Sequence, residues 1–120
     1  MKKILLVDDS NTALMMEKLV FQAHPYELII ARNGEEGVAK ALAERPDLIL
    51  MDLVMPKMDG LTAVKKLREH DATRSIPVIM VTTRGEAANM EIAFRNGATD
   101  YVIKPVNGAE LLLKVRSIVG

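Results

Sequence analysis

Five short apolar runs, separated by longer amphipathic stretches, restrict the fold of this 120-residue chain more than any other feature. Four of the five lack the apolar–polar alternation of a strand with one solvent-exposed face. Such runs are typical of strands that are covered on both faces. Their length of three or four residues favours strands over buried helices. The runs are residues 4–7, 28–30, 48–51, 78–81 and 101–103.

The stretches between the runs carry helix signals. Apolar residues recur at helical spacing before Pro25, Pro46 and Gly97, after Gly60, and in the last dozen residues. Strands that alternate with helices predict an α/β fold, here a (βα)₅ flavodoxin-like three-layer sandwich. We expect a single domain over residues 1–120, with a parallel five-stranded sheet of order 2-1-3-4-5 and helices on both faces.

Composition excludes several classes of protein. Sixteen basic residues balance sixteen acidic ones, which argues against a protein that binds nucleic acid through a basic field. An apolar content of 49% excludes intrinsic disorder, and a chain with no cysteine has no disulfide scaffold or thiolate metal site. No apolar run approaches the roughly 20 residues of a membrane span, and Asp8 comes too early for a signal peptide. We therefore expect a cytoplasmic protein with no membrane contact.

Polar residues follow four of the five predicted strands, where open α/β sheets collect their functional groups. Asp8 and Asp9 follow the first run, Asp52 the third, Thr82 the fourth and Lys104 the fifth. Taken singly, Asp9 could be a helix cap and Asp52 a turn residue, and the threonine and lysine could be ordinary strand-end residues. In the strand order 2-1-3-4-5, however, strands 1 and 3 are neighbours about 4.8 Å apart. That order brings the three aspartates within reach of one another.

Three clustered carboxylates repel strongly. Two unit charges 4 Å apart repel by about 4 kcal/mol at an effective dielectric of 20, so either one acid stays protonated or a cation lies among them. Hard oxygen ligands without histidine or cysteine favour Mg²⁺ or Mn²⁺ over Zn²⁺. A magnesium ion with few protein ligands takes further oxygens from a phosphate, and Lys104 would then supply a second positive charge to that phosphoryl group.

With these residues the chain resembles a known family, the receiver domains of two-component response regulators, and is similar to the stand-alone chemotaxis receiver. The resemblance extends over essentially the whole chain. It is carried by Asp8-Asp9, the stretch 52–60 from Asp52 to Gly60, Thr82, Tyr101 and Lys104-Pro105. It implies a phosphorylation-activated signalling switch, not an enzyme: the domain would catalyse only its own phosphotransfer and a slow autodephosphorylation.

The resemblance assigns roles at the acidic site. Asp52 would accept a phosphoryl group from the phosphohistidine of a sensor histidine kinase or a phosphotransfer domain. Mg²⁺, or Mn²⁺ in its place, would be held directly by Asp9 and Asp52, through water by Asp8, and by the backbone carbonyl of Val54. Lys104 would contact the phosphoryl oxygens.

The resemblance also assigns the switch. Thr82 would hydrogen-bond the phosphoryl group, and Tyr101 would then turn inward and couple the site to the surface of helix 4, strand 5 and helix 5. The peptide bond between Lys104 and Pro105 is cis in this family.

Two residues are expected to tune the decay of the phosphorylated state. Val54, two residues after the acceptor, is apolar and cannot orient an attacking water. Arg84, two residues after the switch threonine, is long enough to obstruct one. We therefore expect a longer phosphoryl lifetime than with amide or acidic side chains at these positions; surface loop residues without kinetic effect are the alternative.

The exposed faces of the predicted helices indicate where other proteins would bind. In the first helix, apolar spacing predicts an inner face of Ala13, Met16 and Val20, so that two large apolar residues on the other side face water. The predicted docking residues for the kinase are Leu14, Met15 and Lys18, with incidental surface apolarity as the alternative. The face of helices 4 and 5 has mixed charge and no basic stripe, which favours a downstream protein effector over DNA. A monomer or weak homodimer is expected.

Two other classes of function share parts of this pattern. A metal-dependent phosphatase or phosphotransferase with an aspartyl nucleophile usually has a second aspartate two residues later, where this chain has Val54. A flavin-binding protein of the same sheet order needs a Ser/Thr/Gly-rich phosphate loop after strand 1, where Asp8 and Asp9 would repel the phosphate.

Overall fold

The computed structural model describes the backbone of residues 1–120 and all side chains except those of residues 85, 87 and 89. A short 3₁₀ segment, Arg84–Asn89, precedes the fourth helix. The strands and helices are β1 (Lys2–Val7), α1 (Asn11–Phe21), β2 (Tyr26–Ala31), α2 (Gly34–Glu44), β3 (Leu48–Asp52), α3 (Gly60–Glu69), β4 (Val78–Thr82), α4 (Met90–Arg95), β5 (Asp100–Ile103) and α5 (Gly108–Val119).

The five strands form one parallel sheet of order β2-β1-β3-β4-β5, which confirms the predicted topology. Val7 of β1 lies opposite Met51 of β3, and Thr82 of β4 lies opposite Ile103 of β5. The carboxyl ends of the strands therefore lie at the same end of the sheet, and the residues that follow the strands meet there.

Burial of the strands explains the uniform apolar runs. β3 and β4 are buried at every position, as are the last four residues of β1, because helices cover both faces of the sheet. The core has two apolar layers, one on each face: the first lies under α2, α3 and α4, and the second under α1 and α5. β2 and β5, at the sheet edges, are only partly buried.

Polar side chains begin the helices. Ser10 caps α1, with its hydroxyl accepting a hydrogen bond from the amide three residues later, and Asn33, Asp59 and Asn107 do the same at α2, α3 and α5. Because Ser10 fills this position, Asp9 is not the cap of α1.

The predicted orientation of α1 is wrong by about one residue. Its buried residues are Leu14, Glu17 and Phe21, whereas Met15 and Met16 are exposed. This helix has large apolar residues on several sides, so apolar spacing alone did not fix its inner face. Leu14, proposed above as a docking residue, is 2% exposed and belongs to the core, so that assignment is wrong.

No described helix is long and apolar enough to cross a membrane.

Candidate functional site

Three carboxylates meet at the carboxyl ends of β1 and β3. Asp52 is the last residue of β3, and Asp8 and Asp9 follow β1, its neighbour in the sheet. One carboxylate oxygen from each of the three lies within 4.8 Å of the others. Asp8 and Asp52 are buried and Asp9 is exposed, so the cluster reaches solvent at Asp9.

Lys104 completes the cluster from the far end of the sheet. Its Nζ is 3.1 Å from Asp52 Oδ1 and 3.4 Å from Asp8 Oδ2. Its backbone amide donates a hydrogen bond of 2.6 Å to the carbonyl of Thr82, and the peptide bond to Pro105 is cis. The lysine backbone is thus held against β4 while its side chain reaches across to β3 and β1.

Backbone amides also donate to the buried acids. The amide of Ser10 donates to Asp8 Oδ1 over 2.9 Å, and the amide of Leu53 donates to Asp52 Oδ1 over 3.0 Å. These bonds fix one oxygen of each carboxylate.

The site has more negative charge than Lys104 alone can balance. Burial, and then the charge of Asp8, raise the pKa of Asp52 to about 6, although the hydrogen bond and charge of Lys104 act in the opposite direction. For Lys104, burial lowers the pKa, but the hydrogen bond and charge of Asp52 and the charge of Asp8 outweigh it, so its pKa is raised. One lysine therefore does not neutralise the three carboxylates.

The donor set fits a divalent cation. Asp8, Asp9 and Asp52 offer hard carboxylate oxygens, which suit Mg²⁺ and Mn²⁺. A dication here would supply the missing charge and leave the exposed side, next to Asp9, for water or phosphate oxygens.

Gly60 is required by the loop that follows Asp52. A Cβ on this glycine would lie 2.3 Å from the carbonyl oxygen of Asp52, and the Gly60 amide donates a 2.8 Å hydrogen bond to the carbonyl of Leu53. Only a residue without a side chain allows α3 to begin so close to the end of β3.

The two predicted switch residues lie on β4 and β5. Thr82, the last residue of β4, is buried, and its hydroxyl donates to the carbonyl of Thr83 over 3.3 Å. Tyr101 is half-buried on β5 and borders a cleft that Arg84 and Lys104 also line. The structure places Thr82 on the strand beside that of Asp52 and Tyr101 on the next strand along the sheet.

The predicted decay-tuning residues lie on exposed segments. Val54 is 61% exposed in the loop after Asp52, and Arg84 is exposed at the start of the 3₁₀ segment. Among the predicted docking residues, Met15 and Lys18 are exposed on α1. Met16, which the sequence reasoning placed on the inner face, and Leu19 are exposed beside them.

Glu17 is a residue that sequence reasoning missed. It is 2% exposed on the inner face of α1, and it lines a cleft together with Lys104. Burial above all, and then the charge of Asp8, raise its pKa to about 8, with Lys104 acting in the opposite direction. The signal for it was a glutamate in helical phase with Leu14 and Phe21.

Comparison with known proteins decides the family. The family model of the response regulator receiver domain matches residues 4–116. The chain belongs to that family. Receiver domains are phosphorylation-dependent signalling switches of two-component systems, not conventional enzymes, and they interact with histidine kinases. Membership favours the switch over the phosphatase and the flavin binder.

Among curated proteins, this receiver domain is similar to PilH of Pseudomonas aeruginosa, with 39% identity over 118 residues and 98% of each chain covered. It is also 39% identical to the transcriptional regulatory protein ResD of Bacillus subtilis over 116 residues, which are 97% of this chain but only 47% of ResD. The family is therefore matched both as a whole short protein and as part of a longer one.

Many solved structures are similar to this receiver domain. The chemotaxis protein CheY4 of Vibrio cholerae has a TM-score of 0.90 and 34% identity, with 98% of each chain covered. The receiver domain of the sensor histidine kinase PA1611 from Pseudomonas aeruginosa has a TM-score of 0.91 and 28% identity, covering 99% of this chain and 98% of its own. In the latter a magnesium ion is coordinated in the active site cleft. Receiver domains bind Mg²⁺ at an acidic pocket, and this chain has such a pocket.

Proposed function

We propose that this receiver domain takes up a phosphoryl group on Asp52 and returns it to water. The observation that carries the proposal is the cluster itself: Asp52 lies within 4.8 Å of Asp8 and Asp9 and 3.1 Å from Lys104 Nζ. A carboxylate at the end of a buried strand, with a fixed ammonium beside it, is held ready to attack phosphorus. Pre-positioning of this kind lowers the barrier to group transfer.

Asp52 is the nucleophile of the transfer. One of its oxygens forms a bond to phosphorus while the phosphorus–nitrogen bond of a phosphohistidine breaks, and the electron pair stays on the imidazole nitrogen. Lys104 lies close enough to contact the transferred oxygens and offset their charge. In the return step a water oxygen attacks phosphorus and Asp52 leaves as a carboxylate.

Mg²⁺, or Mn²⁺ in its place, would supply the charge neutralisation that lets a phosphoryl dianion approach this acidic pocket. Asp9 and Asp52 would hold it directly, Asp8 through water, and the Val54 carbonyl would complete the protein's share. The donor geometry supports this assignment, because one carboxylate oxygen from each of the three aspartates lies within 4.8 Å of the others.

Thr82 and Tyr101 are the proposed switch. The phosphoryl group adds about two negative charges, and the Thr82 hydroxyl, which now donates to the Thr83 carbonyl, would turn to it. Tyr101 would follow and change the surface of α4, β5 and α5. A few kcal/mol of differential binding is enough for such a population shift.

The partners in this proposal are a sensor histidine kinase or phosphotransfer domain and a downstream protein effector. Met15 and Lys18, with Met16 and Leu19 in place of the buried Leu14, form an exposed apolar surface with one basic residue on α1. We assign kinase docking to this surface. We further propose that the domain over residues 1–120 acts in the cytoplasm as a monomer or weak homodimer, without binding nucleic acid.

Incubation with acetyl phosphate and Mg²⁺, followed by intact-mass measurement, tests the proposal. The wild-type chain is expected to gain one phosphoryl group, and Asp52→Asn none. Asp71→Asn is the matched control, because Asp71 is an exposed acid whose ion pair is with Arg74 on the surface. A labelled Asp52→Asn variant, or an unlabelled wild type, would reject the proposal.

A further inference from the structure

A T-shaped contact joins two aromatic side chains of α4 and β5. The ring centroids of Phe94 and Tyr101 are 6.1 Å apart, and the ring planes meet at 69°. Phe94 is 42% exposed on α4, and Tyr101 is half-buried on β5. In this geometry the positive edge of one ring faces the negative surface of the other, which adds attraction beyond the burial of apolar area.

We propose that Phe94 is a positioning residue for Tyr101. Its ring holds the tyrosine in the present arrangement and so sets how readily Tyr101 turns when Asp52 is phosphorylated. The inference rests on the proposed function, because it takes Tyr101 to be the switch residue.

The surroundings of Tyr101 leave its ring two positions, and the contact with Phe94 favours one of them. On one side the ring packs against the apolar layer under α2, α3 and α4, and on the other it borders an open cleft lined by Arg84 and Lys104. The cleft gives the ring room for a second position. The edge-on contact with Phe94 favours the first position, so it opposes the turn.

The present arrangement is also the one that precedes the bond between Thr82 and the phosphoryl group in the proposed switch. The Thr82 hydroxyl donates to the Thr83 carbonyl and not to Asp52. A contact that stabilises Tyr101 here therefore works against the switched state. Removing it is expected to change the equilibrium between the two Tyr101 positions by about two- to tenfold.

Fluorine NMR of protein labelled with 3-fluorotyrosine tests the inference, because the chain has two tyrosines. Tyr26 serves as an internal reference: it makes its own T-shaped contact, with Phe21, at 5.6 Å and 84°. Tyr26→Phe and Tyr101→Phe assign the two resonances. The test variant is Phe94→Leu, which keeps apolar bulk but has no ring edge, and the control is Ile92→Ala, an exposed position of the same helix.

In the ligand-free Phe94→Leu protein, the Tyr101 resonance is expected to move toward its position in wild type saturated with Mg²⁺ and beryllofluoride, a phosphoryl analogue. The midpoint of the beryllofluoride titration should fall by up to about tenfold. Tyr26 should stay in place, and Ile92→Ala should shift neither resonance. A Phe94→Leu spectrum that coincides with wild type would overturn the inference, as would equal shifts of both tyrosines, which indicate general loosening.

Failure of the proposed function looks different. The displacement of Tyr101 in the ligand-free variant is measured without a phosphoryl donor, so a wild-type chain that gains no mass from acetyl phosphate rejects phosphorylation and leaves the displacement as evidence for the contact.

Discussion

Lys104 Nζ lies 3.1 Å from Asp52 Oδ1, although Lys104 follows β5 and Asp52 ends β3, with β4 between them in the sheet. Adjacent strands are about 4.8 Å apart, so the lysine and aspartate side chains together bridge two strand spacings. A side chain shorter than lysine or arginine at the end of β5 would not reach Asp52 or Asp8.

Lys104→Met is expected to slow phosphoryl uptake from acetyl phosphate by about 100-fold, because a positioned cation beside the transferred oxygens is lost. It should also raise the pKa of Asp52 further, since the lysine's hydrogen bond and charge hold that pKa down. Stopped-flow kinetics and carboxyl NMR titration measure the two effects. Lys114→Met, which removes a lysine paired with Asp100 at 2.9 Å, is the control and should change neither quantity.

Mg²⁺ affinity is expected to fall as the pH drops through about 6, and binding should release protons near that pH. Asp52 has a pKa of about 6 in the metal-free protein, so below that value a proton competes with the cation for the carboxylate. Isothermal titration calorimetry in two buffers of different ionisation enthalpy measures both. Asp52→Asn should bind Mg²⁺ more weakly at every pH and show little change near pH 6; an unchanged wild-type affinity from pH 5 to pH 7 would contradict the prediction.

Because Glu17 is buried, we expect the free energy of unfolding to fall as the pH rises. Its folded pKa of about 8 lies above the ordinary value of 4.5, so between these values the native state binds a proton that the unfolded chain has released. The free energy of unfolding contributed by this group is therefore full below about pH 4.5 and lost as the pH rises through about 8. Asp52 acts in the same direction at lower pH.

Urea unfolding of metal-free protein from pH 5 to pH 9 checks this. In Glu17→Gln, the free energy of unfolding should fall much less above pH 6 than in wild type. The two proteins should differ in this quantity by up to a few kcal/mol. Glu44→Gln, at an exposed position near the end of α2, is the control. Parallel wild-type and Glu17→Gln profiles would show that Glu17 is not the group responsible.

Gly60→Ala is expected to destabilise the fold by about 1–3 kcal/mol and to displace the loop that carries Val54. The new Cβ would lie 2.3 Å from the backbone oxygen of Asp52, which cannot move aside without disturbing the end of β3. Chemical denaturation gives the free energy. Gly108→Ala is the matched control, because its Cβ would meet only a Val20 methyl group at 3.3 Å, and it should cost little.

Val54→Asn is expected to shorten the lifetime of the phosphorylated protein severalfold, since an exposed amide beside Asp52 can orient the attacking water. Arg84→Ala should act in the same direction by clearing the approach. Timed loss of the phosphoryl mass measures both. Leu113→Ala, an exposed apolar residue on α5, controls for surface truncation, and an unchanged decay in Val54→Asn would remove this position from the proposal.

The sheet and the acidic cluster could be predicted from sequence because both depend on local signals. Uniform apolar runs marked the buried strands, and the acids directly after them had to meet once β1 and β3 were neighbours. The inner face of α1 could not be predicted, because methionine and leucine on several sides of that helix gave no single apolar stripe. Glu17 was missed with it, since a glutamate is ordinarily assigned to the surface.

The pair of Phe94 and Tyr101 was also beyond sequence reasoning. Between the two residues, Gly97, with a φ of +111°, turns the chain from α4 towards β5. Such a contact depends on how a helix lies on a sheet edge, which apolar periodicity does not define.

Two separate apolar layers lie on opposite sides of the sheet, with α1 on one and α4 on the other. Mutations that repack the layer under α1 therefore need not pass through the layer under α4, and the reverse holds as well. If α1 binds the kinase and α4 the effector, as proposed above, substitutions can change one partner without repacking the surface for the other, while the strand ends between them stay the same.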